Sequence, residues 1–263
     1  NYNKCLKLDN IYFSYNSDYI LKKINLEFSE GNIYAILGHN GAGKTTLCKI
    51  IGGIYKPTKG KILFYDKNLE KNKGKQIKYC FQNPEVQFIS KTVLDEILIS
   101  LKFSKGVADI NLAKKILNFV NLEQFSHENP FNLSEGQKKL LSIAIALAYE
   151  PKVLIFDEPT FALDNFNSRK IMQHIYQLKY QNKLLIFTTH EIRNCLEYAD
   201  YVIVLNKGEV VFFDTIDRFL FFIEELEKFS LYLPPYIKNL ANNKEELIDI
   251  IYRIRYLKNE VKV

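Results

Sequence analysis

Strands and helices alternate through most of this chain, and that alternation predicts an α/β fold built on a mostly parallel sheet. Two further observations sharpen the prediction. A glycine-rich loop, Gly38 to Thr45, lies between a continuously apolar run and a helical segment. A long stretch of helical periodicity with no strand, about 84–149, interrupts the alternation and reads as a helical insert.

Taken in order, Lys4 to Phe13 alternates apolar and polar residues, as a half-buried strand does. Tyr15 follows in a turn-rich stretch, and Ile24 to Phe28 gives a second strand. Ile33 to Leu37 is apolar throughout, as expected of a strand covered on both faces. A helix from about Gly43 to Ile54 comes next, and Pro57 and Gly60 mark a turn before a strand over Lys61 to Tyr65. Ile77 to Phe81 is a short strand ending at Gln82. In the insert, Val93, Ile97 and Leu101 share one helical face, as do Ile116, Leu117 and Val120, and Ser134 is placed to cap a helix reaching Tyr149. Strands over Val153 to Phe156, Leu184 to Phe187 and Tyr201 to Leu205 then alternate with helices after Asp164 and Glu191. Beyond Asp214 the character changes. Phe219 to Ile223 is aromatic, Pro234 and Pro235 break the chain, and Leu247, Ile250, Ile251, Ile254 and Leu257 form an apolar stripe expected to pack on the rest of the chain.

The 263 residues, 47% hydrophobic and 25% charged, suffice for one large α/β domain with a sizeable core. No apolar run approaches the roughly 18–20 residues of a membrane-spanning helix; the longest is Leu140 to Tyr149. No signal-peptide pattern is present, and the start at Asn1 rather than Met is read as an artificial boundary. Cys5, Cys48, Cys80 and Cys195 are scattered without metal-ligand spacing and read as free thiols. The net charge of +6 is dispersed Lys with no basic run, so direct nucleic-acid binding is not expected.

Gly38-His39-Asn40-Gly41-Ala42-Gly43-Lys44-Thr45 has the glycine spacing that lets backbone N–H groups converge on phosphate oxygens, with a helix N-terminus behind them. Lys44 is expected to contact the β- and γ-phosphates and Thr45 to offer a hydroxyl to Mg²⁺. The strand Val153 to Phe156 delivers Asp157 and Glu158 to the end where α/β sheets bind ligands. The two carboxylates can divide the work, Asp157 holding Mg²⁺ and Glu158 serving as general base on the attacking water.

Leu133-Ser134-Glu135-Gly136-Gln137, followed some twenty residues later by Val153 to Thr160 (VLIFDEPT), is much narrower than a phosphate loop alone. In that order the motifs resemble the ATP-binding-cassette (ABC) ATPases, over about Leu6 to Asp214. The resemblance implies an ABC ATPase fold with an N-terminal antiparallel β subdomain and a helical insert (residues 1–214), and a small helical C-terminal extension (215–263) that helps dimerisation. It implies ATP as substrate, held by Gly38, Asn40, Gly41, Gly43, Lys44, Thr45 and Thr46 with Tyr15 stacked on adenine. Gln82 matches a residue that senses Mg²⁺ and water, His190 one that contacts the γ-phosphate. Ser134, Gly136 and Gln137 would serve the nucleotide of a facing subunit, and Asp164 a loop crossing between the two. Glu135 and Leu140 depart from the family pattern, which more often has Gly and a basic residue there, and Glu135 would bring negative charge near the opposite γ-phosphate unless it points away.

Phe81-Gln82-Asn83-Pro84-Glu85-Val86-Gln87-Phe88, followed by Thr92-Val93-Leu94-Asp95-Glu96, is similar to the ATPases of energy-coupling-factor (ECF) transporters and cobalt/nickel uptake systems. That resemblance implies import of a vitamin or metal ion. Its partners would be a T-type transmembrane subunit, a substrate-binding membrane subunit and a second ATPase, identical or similar. The place of work would be the cytoplasmic face of the membrane. A conventional ABC transporter ATPase, a non-transport ABC ATPase acting on nucleic acid or ribosomes, and a scaffold with little hydrolysis are the other readings. Intact Glu158 and His190 argue against the last.

Overall fold

The computed structural model describes residues 4–68, 76–229, 231–235, 237–238 and 244–260, the side chains of 244 and 257–260 excepted. The chain opens with two antiparallel strands, β1 (Lys4–Ser14) and β2 (Tyr19–Ser29), then β3 (Ile33–Leu37), α1 (Lys44–Ile51), β4 (Lys59–Phe64), β5 (Lys67–Asn68) and β6 (Ile77–Cys80). The insert holds a 3-10 turn (Pro84–Gln87), α2 (Val93–Lys105), α3 (Ile110–Phe119) and α4 (Glu135–Leu147). There follow β7 (Val153–Phe156), α5 (Asn165–Gln177), β8 (Leu184–Thr189), α6 (Ile192–Tyr198), β9 (Tyr201–Asn206) and β10 (Glu209–Thr215). Two described helices, α7 (Ile216–Phe222) and α8 (Lys244–Glu260), close the chain.

Two sheets result. β2-β1-β4-β5 is antiparallel, and β10-β9-β3-β8-β7-β6 is parallel except for β10. The parallel strands sort their residues onto two cores by simple alternation. Ile33, Ala35, Leu37, Leu154, Phe156, Leu185 and Phe187 join the core formed with the insert and later helices. Tyr34, Ile36, Val153, Ile155, Leu184 and Ile186 join the second, formed with α1 and the antiparallel sheet. Apolar character on both faces is why these strands read as unbroken hydrophobic runs.

The differences from the sequence reading have local causes. β2 begins five residues before Ile24, because Lys22 and Lys23 hide the pattern and Lys23 takes a left-handed φ of 50°. β10 was not anticipated. It is an edge strand set up by a two-residue turn, Lys207 and Gly208, both at positive φ (47° and 80°), as a tight hairpin requires. Its Val-Val-Phe-Phe run does not alternate, so periodicity gives no strand signal there.

The apolar stripe of α8 is packed inward: Leu247 and Ile251 are buried, Ile250 and Ile254 half-buried; Leu257's side chain lies outside the described residues. α8 lies against α6 and α7. Arg255 donates to Ala199 O (2.6 Å) and Asp200 Oδ1 (3.2 Å), and Asp200 Oδ2 accepts the Ile33 N–H at 2.9 Å. The last helix is thereby tied to the first residue of the central strand. All four cysteines are buried free thiols, and burial pushes the Cys48 thiol well above its ordinary range.

His174, on α5, is buried with its ring edge to Phe119 (centroids 5.8 Å apart), and its Nδ1 has no hydrogen-bond partner among the described residues. Burial first, then the Lys170 charge, lowers its pKa from 6.5 to about 4. The unfolded chain therefore takes up a proton that the fold refuses. Stability should fall as pH drops from about 6.5 to about 4 and level off below. Urea midpoints for His174→Phe should show that fall reduced by about 3 kcal/mol relative to the parent.

Candidate active site

The glycine-rich loop is shaped by close approaches that exclude side chains. Gly43 and Gly41 take φ of 104° and 83°, and a Cβ on Gly38 would lie 2.6 Å from Leu205 O. The Lys207–Gly208 turn braces the loop from behind, with Gly208 N–H donating to Ala42 O at 3.1 Å and Lys22 N–H to Gly208 O at 2.8 Å. The loop and the first turn of α1 form one wall of a cavity of about 520 Å³. Asn40, Gly41, Gly43, Lys44, Thr45, Thr46, Gln82, Glu158 and His190 line it, so four distant segments meet there.

Lys44 is almost fully buried. Its ammonium donates to Gly38 O (2.8 Å) and His39 O (3.3 Å) and lies 3.3 Å from Glu158 Oε1. The other Glu158 oxygen is 3.1 Å from His190 Nδ1. Glu158 holds a left-handed φ of 46° and the nearby Ala162 one of 62°. Such conformations cost about 1–3 kcal/mol each and persist where surrounding structure imposes them. Here the imposition is visible, since the Glu158 N–H donates to Thr188 Oγ1 at 2.7 Å and Glu158 O accepts the Phe161 N–H at 3.0 Å.

Asp157 lies just below the cavity floor and is buried. It accepts three hydroxyls: Thr45 (3.0 Å) and Thr188 (2.8 Å) on Oδ1, and Tyr79 (2.7 Å) on Oδ2. Burial and the Asp157 carboxylate both push the Tyr79 phenol far up, so it stays a donor. The oxygen donors of Thr45, Asp157 and Gln82 suit a hard cation that keeps several waters and binds mainly through nucleotide phosphates. Among the described residues there is no group of three or more His, Cys, Asp or Glu placed to hold a metal ion.

Not every residue expected at the site lines this cavity. Tyr15 is 55% exposed and stands at the margin, edge-on to Phe13 and Tyr55, with its hydroxyl near Thr46. Ser134, Gly136, Gln137 and Asp164 lie elsewhere. Ser134 and Gln137 form a capping box: the Ser134 N–H donates to Gln137 Oε1 (2.9 Å), and the Gln137 N–H to Ser134 Oγ (3.4 Å). Asp164 caps α5 by accepting the Asn167 N–H at 2.8 Å. Within one chain these four sit at helix starts, Ser134 and Asp164 exposed, Gln137 half-buried and Gly136 buried.

Sequence reading missed several site residues. Tyr79 and Thr188 donate to the Asp157 carboxylate, Thr188 also accepts the Glu158 backbone N–H, and Ile20 and Phe161 line the cavity. Lys139 is a buried cation whose ammonium donates to Gln82 O (3.2 Å) and Glu158 O (3.4 Å), and burial lowers its pKa. It ties the insert to both catalytic-side loops. Of these, only Lys139 carried a readable signal, a charge on the apolar side of a helix.

The family model described as ABC transporter matches residues 21–161. The chain belongs to the ABC transporter ATPase family. It is thus an ABC-type ATP hydrolase, and its relatives extend well beyond the matched segment. The energy-coupling factor transporter ATP-binding protein EcfA1 of Thermotoga maritima is 38% identical over 82% of this chain and 83% of its own length. Among solved structures, cbiO1 of Clostridium perfringens, part of the ABC transporter complex cbiONQ, aligns with a TM-score of 0.76 and 30% identity, covering 90% of this chain and 99% of that one. The ATP-binding cassette MJ0796, a dimer in a post-hydrolysis state bound to ADP and Pi, aligns with a TM-score of 0.72 and 30% identity over 80% of this chain and 98% of that one. These cassettes share the α/β fold described above, and MJ0796 carries a nucleotide as a dimer.

Thr188→Val keeps the side-chain shape but removes one donor to Asp157 and leaves the buried Glu158 N–H unpaired. A loss of about 1–3 kcal/mol is expected from the unpaired group. Steady-state ATPase assays of this ABC cassette should show kcat falling by a larger factor than KM for ATP changes.

Proposed function

We propose that this chain is the ATP-hydrolysing subunit of an ECF-type import complex and that it works as one half of a two-ATPase sandwich. The observation that carries the catalytic part is the convergence of Lys44, Thr45, Gln82, Glu158 and His190 on one cavity at the end of the parallel strands. Lys44 and the loop N–H groups hold the β- and γ-phosphates. Tyr15 stacks on the adenine, and Gly38, Asn40, Gly41, Gly43 and Thr46 complete the cradle. Thr45 and Asp157, with Gln82, would hold Mg²⁺, which would supply positive charge to offset that of the phosphates. Glu158 takes the proton of the attacking water, and His190, paired with it at 3.1 Å, contacts the γ-phosphate.

The second half of the chemistry comes from the facing subunit. Ser134, Gly136 and Gln137 reach its nucleotide from the exposed start of α4, and Asp164 lies in the loop between the two subunits. The dimeric MJ0796 cassette supports a two-chain arrangement. Residues 1–214 form the nucleotide-binding domain, with the insert over about 84–149, and 215–263 form a C-terminal extension that helps the ATPases pair. Exposed Phe221, Tyr232, Tyr252 and Tyr256 on that extension favour a contact role.

The transport reading rests on the Phe81 to Glu96 motif and on relatives named for energy coupling and for the cbiONQ complex. No helix of the described residues is long and apolar enough to cross a membrane, so membrane subunits supply the path. The T-type subunit docks on the insert at the cytoplasmic face, and a substrate-binding subunit chooses the vitamin or metal ion. Closure on two ATP molecules moves the inserts, and hydrolysis resets them.

Glu158→Gln should retain ATP binding while turnover drops about 10²–10⁴-fold, measured by phosphate release. Lys44→Ala should instead weaken binding of a fluorescent ATP analogue in a titration. Tagged chain purified from native membranes should bring a T-type membrane protein and a second ATPase. Recovery with a conventional permease alone, or with ribosomal or DNA components, would replace the ECF reading.

A further inference from the structure

Glu135 stands at the first position of α4, where the helix field and free N–H groups favour an anion. In the two-chain reading that place belongs to the facing nucleotide's γ-phosphate, so an unrestrained Glu135 would compete with the phosphate and repel it. The structure contains a restraint. Lys138, one turn along α4, is about nine-tenths buried, and its ammonium lies 3.0 Å from Glu135 Oε1 and 2.6 Å from Glu85 Oε1. Glu85 belongs to the 3-10 turn Pro84–Gln87, separated from Gln82 only by the capping Asn83. Lys138 thus draws the Glu135 carboxylate back toward that turn and fixes it beside a second carboxylate.

We propose that Lys138 is a positioning residue for ATP hydrolysis: by holding Glu135 on the Glu85 side of α4 it keeps the helix start open to the γ-phosphate of the nucleotide bound on the facing subunit. The shared ammonium also offsets one of the two negative charges. An elevated Lys138 pKa, raised first by Glu85 and then by Glu135, keeps that cation charged throughout the working pH range. This explains how a carboxylate is tolerated in the signature segment. The inference rests on the two-chain reading of Ser134 and Gly136.

The test is a double-mutant comparison in the ATPase pair as it co-purifies. Lys138→Met should lower kcat about tenfold, since it releases a charge toward a phosphate site where low dielectric strengthens repulsion. Combining it with Glu135→Gln should bring kcat back to within about twofold of Glu135→Gln alone, because no charge remains to be held. Lys138→Met activity should also recover partly as salt screens the released carboxylate. If Lys138 merely braces α4 against the 3-10 turn, the tenfold loss will persist in the Glu135→Gln background and Glu85→Gln will reproduce it. That pattern overturns the inference. Should Lys138→Met not fold, Lys138→Gln, alone and combined with Glu135→Gln, carries the same comparison. ATP-dependent association of Glu158→Gln chains, followed by size-exclusion chromatography, is the control. Association without rescue removes only the Lys138 role, whereas no association removes the two-chain reading and this role with it.

Discussion

The structure depends on one buried carboxylate. Asp157 collects hydroxyls from Thr45 at the start of α1, Tyr79 on β6 and Thr188 on β8. Four elements therefore share a single acceptor at the C-terminal edge of the parallel sheet, counting β7, which delivers it. A buried ionised carboxylate is costly unless its lone pairs are satisfied. Three short donors meet that condition, and in doing so they fix the phosphate loop relative to the strand ends. Removing any donor would disturb both the packing and the cavity.

A second layer of order follows from that point. Thr188 bonds Asp157 through its hydroxyl and also accepts the Glu158 N–H, which holds Glu158 in its left-handed conformation. Glu158 then faces Lys44 on one oxygen and His190 on the other. Lys139 reaches from the insert to the carbonyls of Gln82 and Glu158. Lys139 thereby links the insert through hydrogen bonds to the two loops that carry Gln82 and Glu158.

The C-terminal helices belong to the same network. Arg255 on α8 meets Asp200, which also receives the Ile33 N–H and the Lys179 ammonium (2.6 Å). The extension is consequently packed onto the nucleotide-binding domain through buried Leu247 and Ile251 and through this polar junction. The Tyr252 hydroxyl adds a further tie between the helices, donating to Asp217 Oδ1 on α7 at 2.7 Å.

The sequence by itself carried the parallel strands β3, β6, β7, β8 and β9 and the phosphate loop, and it offered Lys44, Thr45, Asp157 and Glu158 as candidates, whereas Gln82 and His190 became candidates only through the family resemblance. The strands and the loop are specified locally: a strand buried on both faces must be apolar throughout, and converging N–H groups require glycine at fixed spacing. Ser134 was legible as a helix cap for the same reason. Only the tertiary structure decided which side chains hold those residues in place. Tyr79 and Thr188 are ordinary residues in sequence and Lys139 shows only as a charge on the apolar side of a helix; their roles exist because three strands and the insert meet at one point. The β10 edge strand was likewise invisible, since a Lys-Gly turn and a non-alternating apolar run gain meaning only beside β9. The direction of Glu135 could not be read from its own position. It is set by an ammonium one turn along the helix and by a carboxylate fifty residues earlier in the chain, a long-range charge arrangement that no local pattern encodes.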